Sequence, residues 1–473
     1  MNIAFITSEI FPFSKTGGLA DIAAFLPKAL TKYNVKTTIF TPYYKNISKY
    51  HDSFKLLGSK EIKMDDFKTT FNYYLFKDNN IDIIFLQNQN FFERDNYYGY
   101  DDDYLRFTGF SFAVLEGLVL LDKIPNLIHL NDWQSSLIPF LLDTHYRKKD
   151  DYKYLHTLLT IHNLEYQGNF EKEVYKYFNT PFEYTYIHFD RVNFLKAGIE
   201  RATKINTVSP NYSKEILTNE YGFSLDGALE KRKNDLSGIL NGIDDSVFNP
   251  LSDKFIDNYS FNNYQKGKLL NKKRLYEQFN LGKNYDYPLI VYIGRLASQK
   301  GLWMIKETIE PVISQTKSKF FILGSGDPSY ENYFKYLTDK YPNQVGNYIG
   351  FNEELAHLLY AASDIFLMPS IFEPCGLGQM ISMKYGSLPI VRETGGLKDT
   401  VIPYNKYTNE GTGFSFKNKS AFELKDKLYE AISLYYRQPN IFKNLVKQAM
   451  STNYTNQEMA LNYLKLYQEI LGG

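Results

Sequence analysis

Short apolar runs that alternate with helix-spaced segments constrain the fold of this chain more than any other feature. The run at residues 3–6 precedes a glycine-containing loop, and apolar residues then recur every three or four positions over residues 19–30. A second apolar run follows at 37–40. This strand–loop–helix–strand order predicts the opening of a doubly wound parallel sheet. Further strands are predicted at 81–86, 127–130 and 158–161.

The same pattern restarts after about residue 245, beyond which strands are predicted at 289–293, 320–324 and 364–368. A polar stretch, roughly 250–265, lies between the two halves. We therefore predict an α/β protein with two doubly wound, Rossmann-like domains that face a deep cleft, where the carboxyl ends of strands bind ligands. The predicted domains are residues 1–245 and 246–455, and a C-terminal helix at 456–473 is expected to pack back on the first domain.

The composition excludes several classes of partner. The 54 Lys and Arg residues almost balance the 53 Asp and Glu residues, giving a net charge of +1, which does not favour nucleic acid or an anionic membrane. No apolar run reaches the ~18 residues of a membrane span, and the N-terminus lacks the pattern of a signal peptide. The one cysteine, Cys375, cannot form an intrachain disulfide. These features predict a cytoplasmic protein.

Two conspicuous features have plain interpretations. The 41 tyrosines and 36 phenylalanines suggest aromatic platforms for sugars, but they are spread along the whole chain. We attribute them to codon bias and ordinary core packing. The run at residues 101–103 (Asp-Asp-Asp) lacks companion metal ligands and is interpreted as a solvated loop.

The loop at residues 14–21 (SKTGGLAD) is the first candidate anion-binding site. Paired glycines allow close approach of the backbone, the following helix offers N–H groups and a partial positive charge, and Lys15 adds a full one. A diphosphate is the natural ligand. The alternative is a tight turn with a surface lysine. The motif is not a Walker A loop.

A second candidate is the segment at residues 294–301 (GRLASQKG), which again joins a predicted strand to a helix. Arg295 can bind phosphate oxygens in a bidentate manner and Lys300 supplies a point charge. Surface ion pairs are the alternative interpretation.

A third candidate is the segment at residues 369–379 (PSIFEPCGLGQ). Glu373 can accept hydrogen bonds from sugar hydroxyls, and the N–H groups of Leu377 and Gly378 can meet a phosphate. Alternatively, Glu373 complements the charge of a helix start and Cys375 is a small buried hydrophobe.

Polar clusters also follow two predicted strands of the first half, at residues 129–134 (HLNDWQ) and 160–168 (TIHNLEYQG). A lone histidine is more often structural than functional. Two such clusters at strand ends of one domain nevertheless favour a site that includes Asp132 and His162.

Taken together, these segments resemble the bacterial glycogen synthases and plant starch synthases, which are retaining glucosyltransferases of the GT-B fold that use a nucleoside diphosphate glucose. The resemblance extends over nearly the whole chain, in the family's order and rough spacing. Its segments are KTGGLADIAAFLPKAL, HLNDWQSSLIP, TIHNLEYQG, NTVSPNYSKEI, SGILNGIDDSVFNP, GRLASQKGL, FEPCGL and YGSLPIVRETGGLKDTV.

The resemblance implies a role for each matching residue. The catalytic set would be His162, Asp132, Arg295, Lys300 and Glu373. The residues that bind ADP-glucose would be Lys15, Gly18, Asn241, Arg295, Lys300, Phe351, Glu373, Cys375, Gly376, Leu377 and Gly378. The reaction would add an α-1,4-linked glucose to the non-reducing end of a glucan such as glycogen and release ADP, with no cofactor and no metal.

Elementary chemistry agrees with that set of residues. Breaking the anomeric C–O bond places negative charge on the diphosphate, which Arg295, Lys15 and Lys300 can stabilise. Retaining glycosidases use two carboxylates, but the motifs supply no second carboxylate as nucleophile. We therefore favour attack from the same face, with the leaving phosphate taking the proton of the acceptor.

The chain departs from the family pattern at four positions. Asn131 stands where many bacterial members have His, and Phe351 stands where a Tyr often stacks on adenine. Gly378 replaces a usual Thr, and Ile371 replaces a common Arg. None of these changes removes a central charge.

Three other functions are consistent with the sequence. The first is a related glycosyltransferase that uses UDP-glucose or another acceptor. The second is a catalytically inert glucan-binding homologue, and the third is a glucan phosphorylase, which would need pyridoxal phosphate.

Overall fold

The computed structural model describes residues 1–78, 80–121 and 124–472. The chain divides into two compact units, Met1–Ile239 with Asn456–Gly473 and Leu240–Thr455. The polar stretch near residue 250 belongs to the second unit, where the carboxylate of Asp253 is buried against His357 and Tyr385.

The described residues form strands at the following positions. They are β1 (Asn2–Ile6), β2 (Lys36–Pro42), β3 (Lys55–Met64), β4 (Phe67–Asp78), β5 (Ile81–Gln87), β6 (Leu127–Asn131), β7 (His156–Ile161), β8 (Asn169–Phe170), β9 (Ile187–His188), β10 (Arg191–Asn193), β11 (Lys204–Thr207), β12 (Leu236–Gly238), β13 (Leu289–Ile293), β14 (Lys319–Gly324), β15 (Val345–Ile349), β16 (Ile365–Met368), β17 (Leu388–Arg392) and β18 (Phe414–Phe416).

The described residues also form α-helices, many of which lie between these strands. They are α1 (Gly18–Leu30), α2 (Gln89–Phe92), α3 (Asp103–Gly117), α4 (Ile138–Leu141), α5 (Phe194–Arg201), α6 (Pro210–Glu215), α7 (Asp226–Lys231), α8 (Tyr264–Gln278), α9 (Leu302–Thr316), α10 (Pro328–Lys340), α11 (Glu353–Ala362), α12 (Gly378–Lys384), α13 (Gly395–Thr400), α14 (Ala421–Arg437), α15 (Pro439–Met450) and α16 (Asn456–Ile470). No helix in this part of the chain is both long and apolar enough to cross a membrane.

The main sheet of the first unit has the order β12-β11-β7-β6-β1-β2-β5-β4-β3. Its strands are parallel except for β4, which pairs antiparallel with β3 and β5. The five predicted strands of this half are confirmed as β1, β2, β5, β6 and β7. The β3–β4 hairpin was not predicted. β3 lacks a sustained apolar run, and the apolar stretch at residues 73–76 in β4 was not singled out, although Phe71 and Tyr73 are buried.

The sheet of the second unit has the order β15-β14-β13-β16-β17-β18, and all its described pairings are parallel. The predicted strands at 289–293, 320–324 and 364–368 are confirmed as β13, β14 and β16. In both sheets the strand order reverses beside the first strand of the unit, since β1 lies between β2 and β6, and β13 lies between β14 and β16.

The C-terminal helix α16 belongs to the first unit. The hydroxyl of Tyr467 lies 2.7 Å from Nδ1 of His129, and the side chain of Asn206 donates to the Tyr463 hydroxyl at 3.0 Å. Thr160 contacts the other ring nitrogen of His129 at 2.8 Å. His129 is therefore a fully buried structural residue inside β6 and not part of the site.

The interpretation of residues 101–103 as a solvated loop is wrong for Asp103, whereas Asp102 lies in the turn and is partly exposed. Asp102 pairs with Arg94 through two hydrogen bonds of 2.6 Å. Asp103 begins α3, is buried, and pairs with the buried guanidinium of Arg106. These carboxylates fix the loop that precedes α3, which a run of three like charges does not reveal.

Candidate active site

The two sheets place the predicted site residues at equivalent positions. In each unit several of them follow the central strand and its neighbour at the point where strand order reverses, which is where doubly wound sheets bind ligands, whereas His162, Asn241 and Phe351 follow β7, β12 and β15. In the first unit the loops after β1 and β6 carry Lys15 and Asp132. In the second unit the loops after β13 and β16 carry Arg295 and Glu373.

The loop after β1 is held by a carboxylate that the sequence patterns did not single out. Glu9 is buried, and its carboxylate accepts hydrogen bonds of 2.5 Å from both the N–H and the hydroxyl of Thr16, and one of 3.4 Å from the Gly17 N–H. Tyr98 donates to the same carboxylate at 2.9 Å. In the sequence, the only indication of this role is that Glu9 is a charged residue within the largely apolar segment before the loop.

This arrangement assigns the loop's N–H groups to different tasks. Glu9 accepts hydrogen bonds from Thr16 and Gly17, so these two N–H groups stabilise the conformation of the loop. Within the described chain, the N–H of Gly18 has no hydrogen-bond acceptor, and Gly18 opens α1, where the helix dipole favours an anion.

Lys15 projects from the same loop, and 42% of its side chain is exposed. Its ammonium lies 2.7 Å from the carboxylate of Asp21, in the first turn of α1, and 5.5 Å from the ring centre of Phe11. Because an exposed ion pair contributes little to stability, this one leaves the ammonium free to exchange partners.

His162 follows β7 and is fixed by Asn131. The amide of Asn131 donates to the carbonyl oxygen of Ile6 at 2.9 Å, which turns its oxygen toward Nε2 of His162, also at 2.9 Å. Burial lowers the pKa of His162 to about 3, so the ring is neutral and donates from Nε2. Nδ1 then carries a lone pair that can accept a hydroxyl hydrogen.

Asp132 follows β6 and has a left-handed backbone, with φ of 55°. One carboxylate oxygen accepts the N–H of His162 at 2.7 Å and the N–H of Asn163 at 3.4 Å. Burial raises the pKa of Asp132 to about 7 despite those two hydrogen bonds, and the charge of Glu9 adds to the shift. The carboxyl therefore titrates near neutral pH.

In the second unit, Arg295 follows β13 and is exposed. Among the residues that the structure describes, no carboxylate pairs with its guanidinium. Lys300 and Glu373, in contrast, form an ion pair of 2.6 Å, and the Ser370 hydroxyl donates to the same oxygen of Glu373 at 2.9 Å. The second oxygen of Glu373 remains available to a hydroxyl.

Asn241 and Cys375 contact each other at the start of the second unit. The N–H of Asn241 bonds to the Cys375 thiol, and burial raises the pKa of that thiol to about 12. Cys375 is therefore a packed thiol and not a nucleophile. The side-chain oxygen of Asn241 is buried and has no hydrogen-bond partner in the described chain.

Gly395 and Gly396 pack closely against the loop from Glu373 to Gly378, a role that the sequence motifs do not indicate. A side chain at Gly395 would place its Cβ 2.0 Å from the Glu373 carbonyl oxygen, and one at Gly396 would lie 2.3 Å from that of Cys375. Arg392 donates from Nε to the carbonyl oxygen of Ser370 at 2.9 Å. These contacts hold the loop against α13 and β17.

Of two further predicted donor-binding positions, Phe351 is strongly exposed and Gly376 is partly exposed. Phe351 lies between β15 and α11 with 86% of its surface exposed, and a ring this exposed has no packing role. Gly376 has φ of 75°, which permits the tight turn before Leu377 and Gly378 at the start of α12.

Comparison with known proteins agrees with this arrangement. Residues 2–231 match the family model described as starch synthase catalytic domain, and residues 274–449 match glycosyl transferases group 1. A glycogen synthase from Acholeplasma laidlawii is 60% identical, and the alignment covers all of this chain and 99% of that protein. A glycogen synthase from Bacillus cereus is 42% identical, with both chains fully covered.

Solved structures show the same fold. The catalytic domain of starch synthase IV from Arabidopsis thaliana, bound to ADP and acarbose, has a TM-score of 0.90 at 31% identity, covering all of this chain and 99% of that one. Sucrose-phosphate synthase from Thermosynechococcus elongatus shares the fold at 18% identity and a TM-score of 0.63, over 100% and 99% of the two chains. The two doubly wound units are thus those of a GT-B glycosyltransferase, and the chain belongs to the glycogen synthase family.

Proposed function

We propose that this chain transfers glucose from ADP-glucose to the non-reducing end of an α-1,4-glucan such as glycogen, with retention of configuration and release of ADP. The observation that carries the proposal is the 60% identity to a glycogen synthase over the whole chain. ADP and acarbose, both bound to the related starch synthase, support the donor and the acceptor. We place the reaction in the cytoplasm, where a chain with one buried thiol remains reduced.

The leaving diphosphate is bound by cations and by backbone N–H groups. Arg295 has no carboxylate partner in the described chain, so it offers its full charge to phosphate oxygens. Lys300 and Lys15 add point charges, and the Gly18 N–H adds a helix-start donor. The N–H groups of Leu377 and Gly378, beside Gly376 and Cys375, serve the phosphates in the same way, while Phe351 stacks on adenine.

The transferred glucose is oriented by acceptors of hydroxyl hydrogens. Glu373 keeps one carboxylate oxygen free because Lys300 and Ser370 occupy the other. The orphaned oxygen of Asn241 and Nδ1 of His162 are further acceptors. Ionised Asp132 supplies the negative charge that stabilises an oxocarbenium-like ring.

In the chemical step, the acceptor hydroxyl oxygen bonds to the anomeric carbon on the face from which the phosphate oxygen leaves. The hydroxyl proton passes to that phosphate oxygen, so ADP is released and no enzyme group is modified. Arg295, Lys300 and Lys15 lower the barrier by stabilising charge on the diphosphate. Trapping a covalent glucosyl-enzyme would contradict this step.

Comparing donors tests the proposed function. Purified chain is incubated with glycogen and either ADP-[14C]glucose or UDP-[14C]glucose, and label in the polymer is counted. We expect kcat/KM for ADP-glucose to exceed that for UDP-glucose by at least about tenfold, the effect of roughly 1.4 kcal/mol. A preference for UDP-glucose would refute the donor assignment. Transfer from neither donor would refute the proposal that the chain is a glucosyltransferase.

Glu9→Gln is expected to lower kcat/KM for ADP-glucose by about 10-fold to 100-fold. An amide offers one acceptor oxygen where the carboxylate offers two, and a hydrogen bond to a charged group contributes about 1.5–3 kcal/mol. The Lys15–Gly18 loop then loses its fixed conformation. The matched control is Glu61→Gln, which removes an exposed carboxylate of the same unit that pairs with Lys68. Parental kinetics in E9Q would contradict the anchoring role.

The pKa of Asp132 predicts a pH dependence. If the ionised carboxylate acts on the sugar, kcat/KM rises with pH through an apparent pKa of about 7, and Asp132→Asn abolishes that limb. A limb that persists in D132N assigns the titration to another group.

Titration of Asp132 also changes the free energy of unfolding, and the direction of that change follows from its raised pKa. The folded chain binds this proton more tightly than the unfolded chain, so the carboxyl becomes more destabilising as pH rises from about 4 to about 7. D132N should therefore lose less stability than the parent over that interval, as measured by thermal unfolding.

A further inference from the structure

A cavity of about 450 Å³ lies in the second unit at the amino edge of its sheet. Its lining includes Asp286, Asp364 and Gly386, which precede β13, β16 and β17 respectively. Arg295 and Glu373 follow the opposite ends of β13 and β16, and no predicted site residue is among the described lining residues. The proposed transfer of glucose therefore leaves this cavity without a role.

The described lining contains five aromatic rings, which are those of Tyr264, Tyr285, Tyr435, Tyr436 and Phe442. The ring centres of Tyr435 and Phe442 are 5.2 Å apart, and the two rings meet edge to face. Tyr264 and Phe442 are buried, whereas 44% of Tyr436 is exposed. Aromatic walls with a few polar groups are typical of small-molecule sites. These walls suit a flat, largely apolar ring.

The ammonium of Lys268, on α8, is the buried cation of the cavity that has no carboxylate partner in the described chain. It donates to the carbonyl oxygens of Ala361 at 3.1 Å and Tyr385 at 3.0 Å. An ammonium has three N–H groups, so one donor remains for a ligand. A buried cation without a carboxylate is costly, and an anion in the cavity would reduce that cost.

The other charges of the described lining balance each other. Asp364 pairs with Lys272 at 2.5 Å, and both side chains are largely buried. Lys443 and Asp286 are exposed and contribute one charge of each sign. Lys268 therefore supplies the net positive charge, which suits a ligand with a single negative charge rather than a diphosphate.

The protonation of Lys268 is sensitive to an anion in the cavity. Burial lowers the pKa of Lys268 to about 7, although the charge of Asp364 opposes this shift. Near neutral pH the side chain is therefore divided between the ammonium and the neutral amine. A bound carboxylate favours the ammonium, which binds carbonyl oxygens more strongly than the amine does.

Lys268 connects the cavity to two helices that begin near predicted donor-binding positions. Ala361 lies in the last turn of α11, and Tyr385 directly follows α12. At their other ends, α11 begins two residues after Phe351, and α12 begins at Gly378. An anion that keeps Lys268 charged therefore stabilises the carboxyl ends of both helices, where the helix dipole favours a cation.

We propose that this cavity is an effector site for a small carboxylate that carries an aromatic ring. The carboxylate accepts the third N–H of Lys268, and the ring packs against Tyr435 and Phe442. Binding stabilises α11 and α12, and so acts on the segments that precede them. The ligand enters and leaves without covalent chemistry.

Isothermal titration calorimetry with 1-naphthoate and with neutral 1-naphthylmethanol tests the site. We expect naphthoate to bind and naphthylmethanol to bind at least roughly tenfold more weakly, because it lacks the charge that Lys268 meets. Leu269→Trp, which fills the cavity and retains Lys268, should abolish binding. The matched control is Leu270→Trp, since Leu269 and Leu270 are 39% and 43% exposed and Leu270 is not among the lining residues.

Three outcomes of the titrations would overturn the proposal. They are a parent that does not bind naphthoate, equal binding of naphthoate by L269W and L270W, and equal affinity of the parent for naphthoate and naphthylmethanol. A variant Lys268→Met that folds and still prefers naphthoate would overturn the role of the ammonium.

Hydrogen–deuterium exchange tests whether the cavity acts on the helices. With naphthoate at about ten times its Kd, amides in the last turns of α11 and α12 should exchange at least about threefold more slowly, because opening them requires release of the ligand. Amides of α10 serve as the internal control. Unchanged exchange in α11 and α12 would overturn the effector role. Neither measurement uses ADP-glucose or glycogen, so both outcomes are independent of the proposed function.

Discussion

The parallel pairing of β1 with its neighbours, and of β13 with its neighbours, is the constraint on which the site depends. Parallel strands require crossover connections, and the crossovers from the central strand and from its neighbour leave on opposite faces where strand order reverses. The loops that diverge there end beside helix starts. The chain places Glu9, Lys15 and Asp132 at the reversal in one sheet and Arg295 and Glu373 at the reversal in the other.

Pairing within each unit determines which charges remain for a substrate. Glu9 accepts hydrogen bonds from Thr16 and Tyr98, and Lys300 neutralises Glu373. These contacts reduce the desolvation free energy of burying charges in partly buried loops. In the described part of the second unit's site, Arg295 is the cation that no carboxylate neutralises, and under the proposed function it is the group that would bind the diphosphate.

The sequence predicts the central strands and the charged loops because both have local signals. Apolar runs predict β1 and β13, and glycines beside lysine or arginine predict the loops that follow them. Glu9, Arg392 and the Gly395–Gly396 pair act through contacts with residues distant in the chain or in another element, which local patterns do not encode. The β3–β4 hairpin was missed although residues 73–76 form an apolar stretch. A structural role for a lone histidine such as His129 was the more common expectation, but its partner Tyr467 is distant in the chain and could not be predicted.

Charge stabilisation of the leaving diphosphate is the central claim, and steady-state turnover of Arg295→Ala and Lys15→Ala tests it most directly. If each cation supplies about 3 kcal/mol in the transition state, kcat falls on the order of 10²-fold or more in each variant. The melting temperatures should remain parental, because neither side chain is buried. Unchanged turnover in both variants would contradict the account.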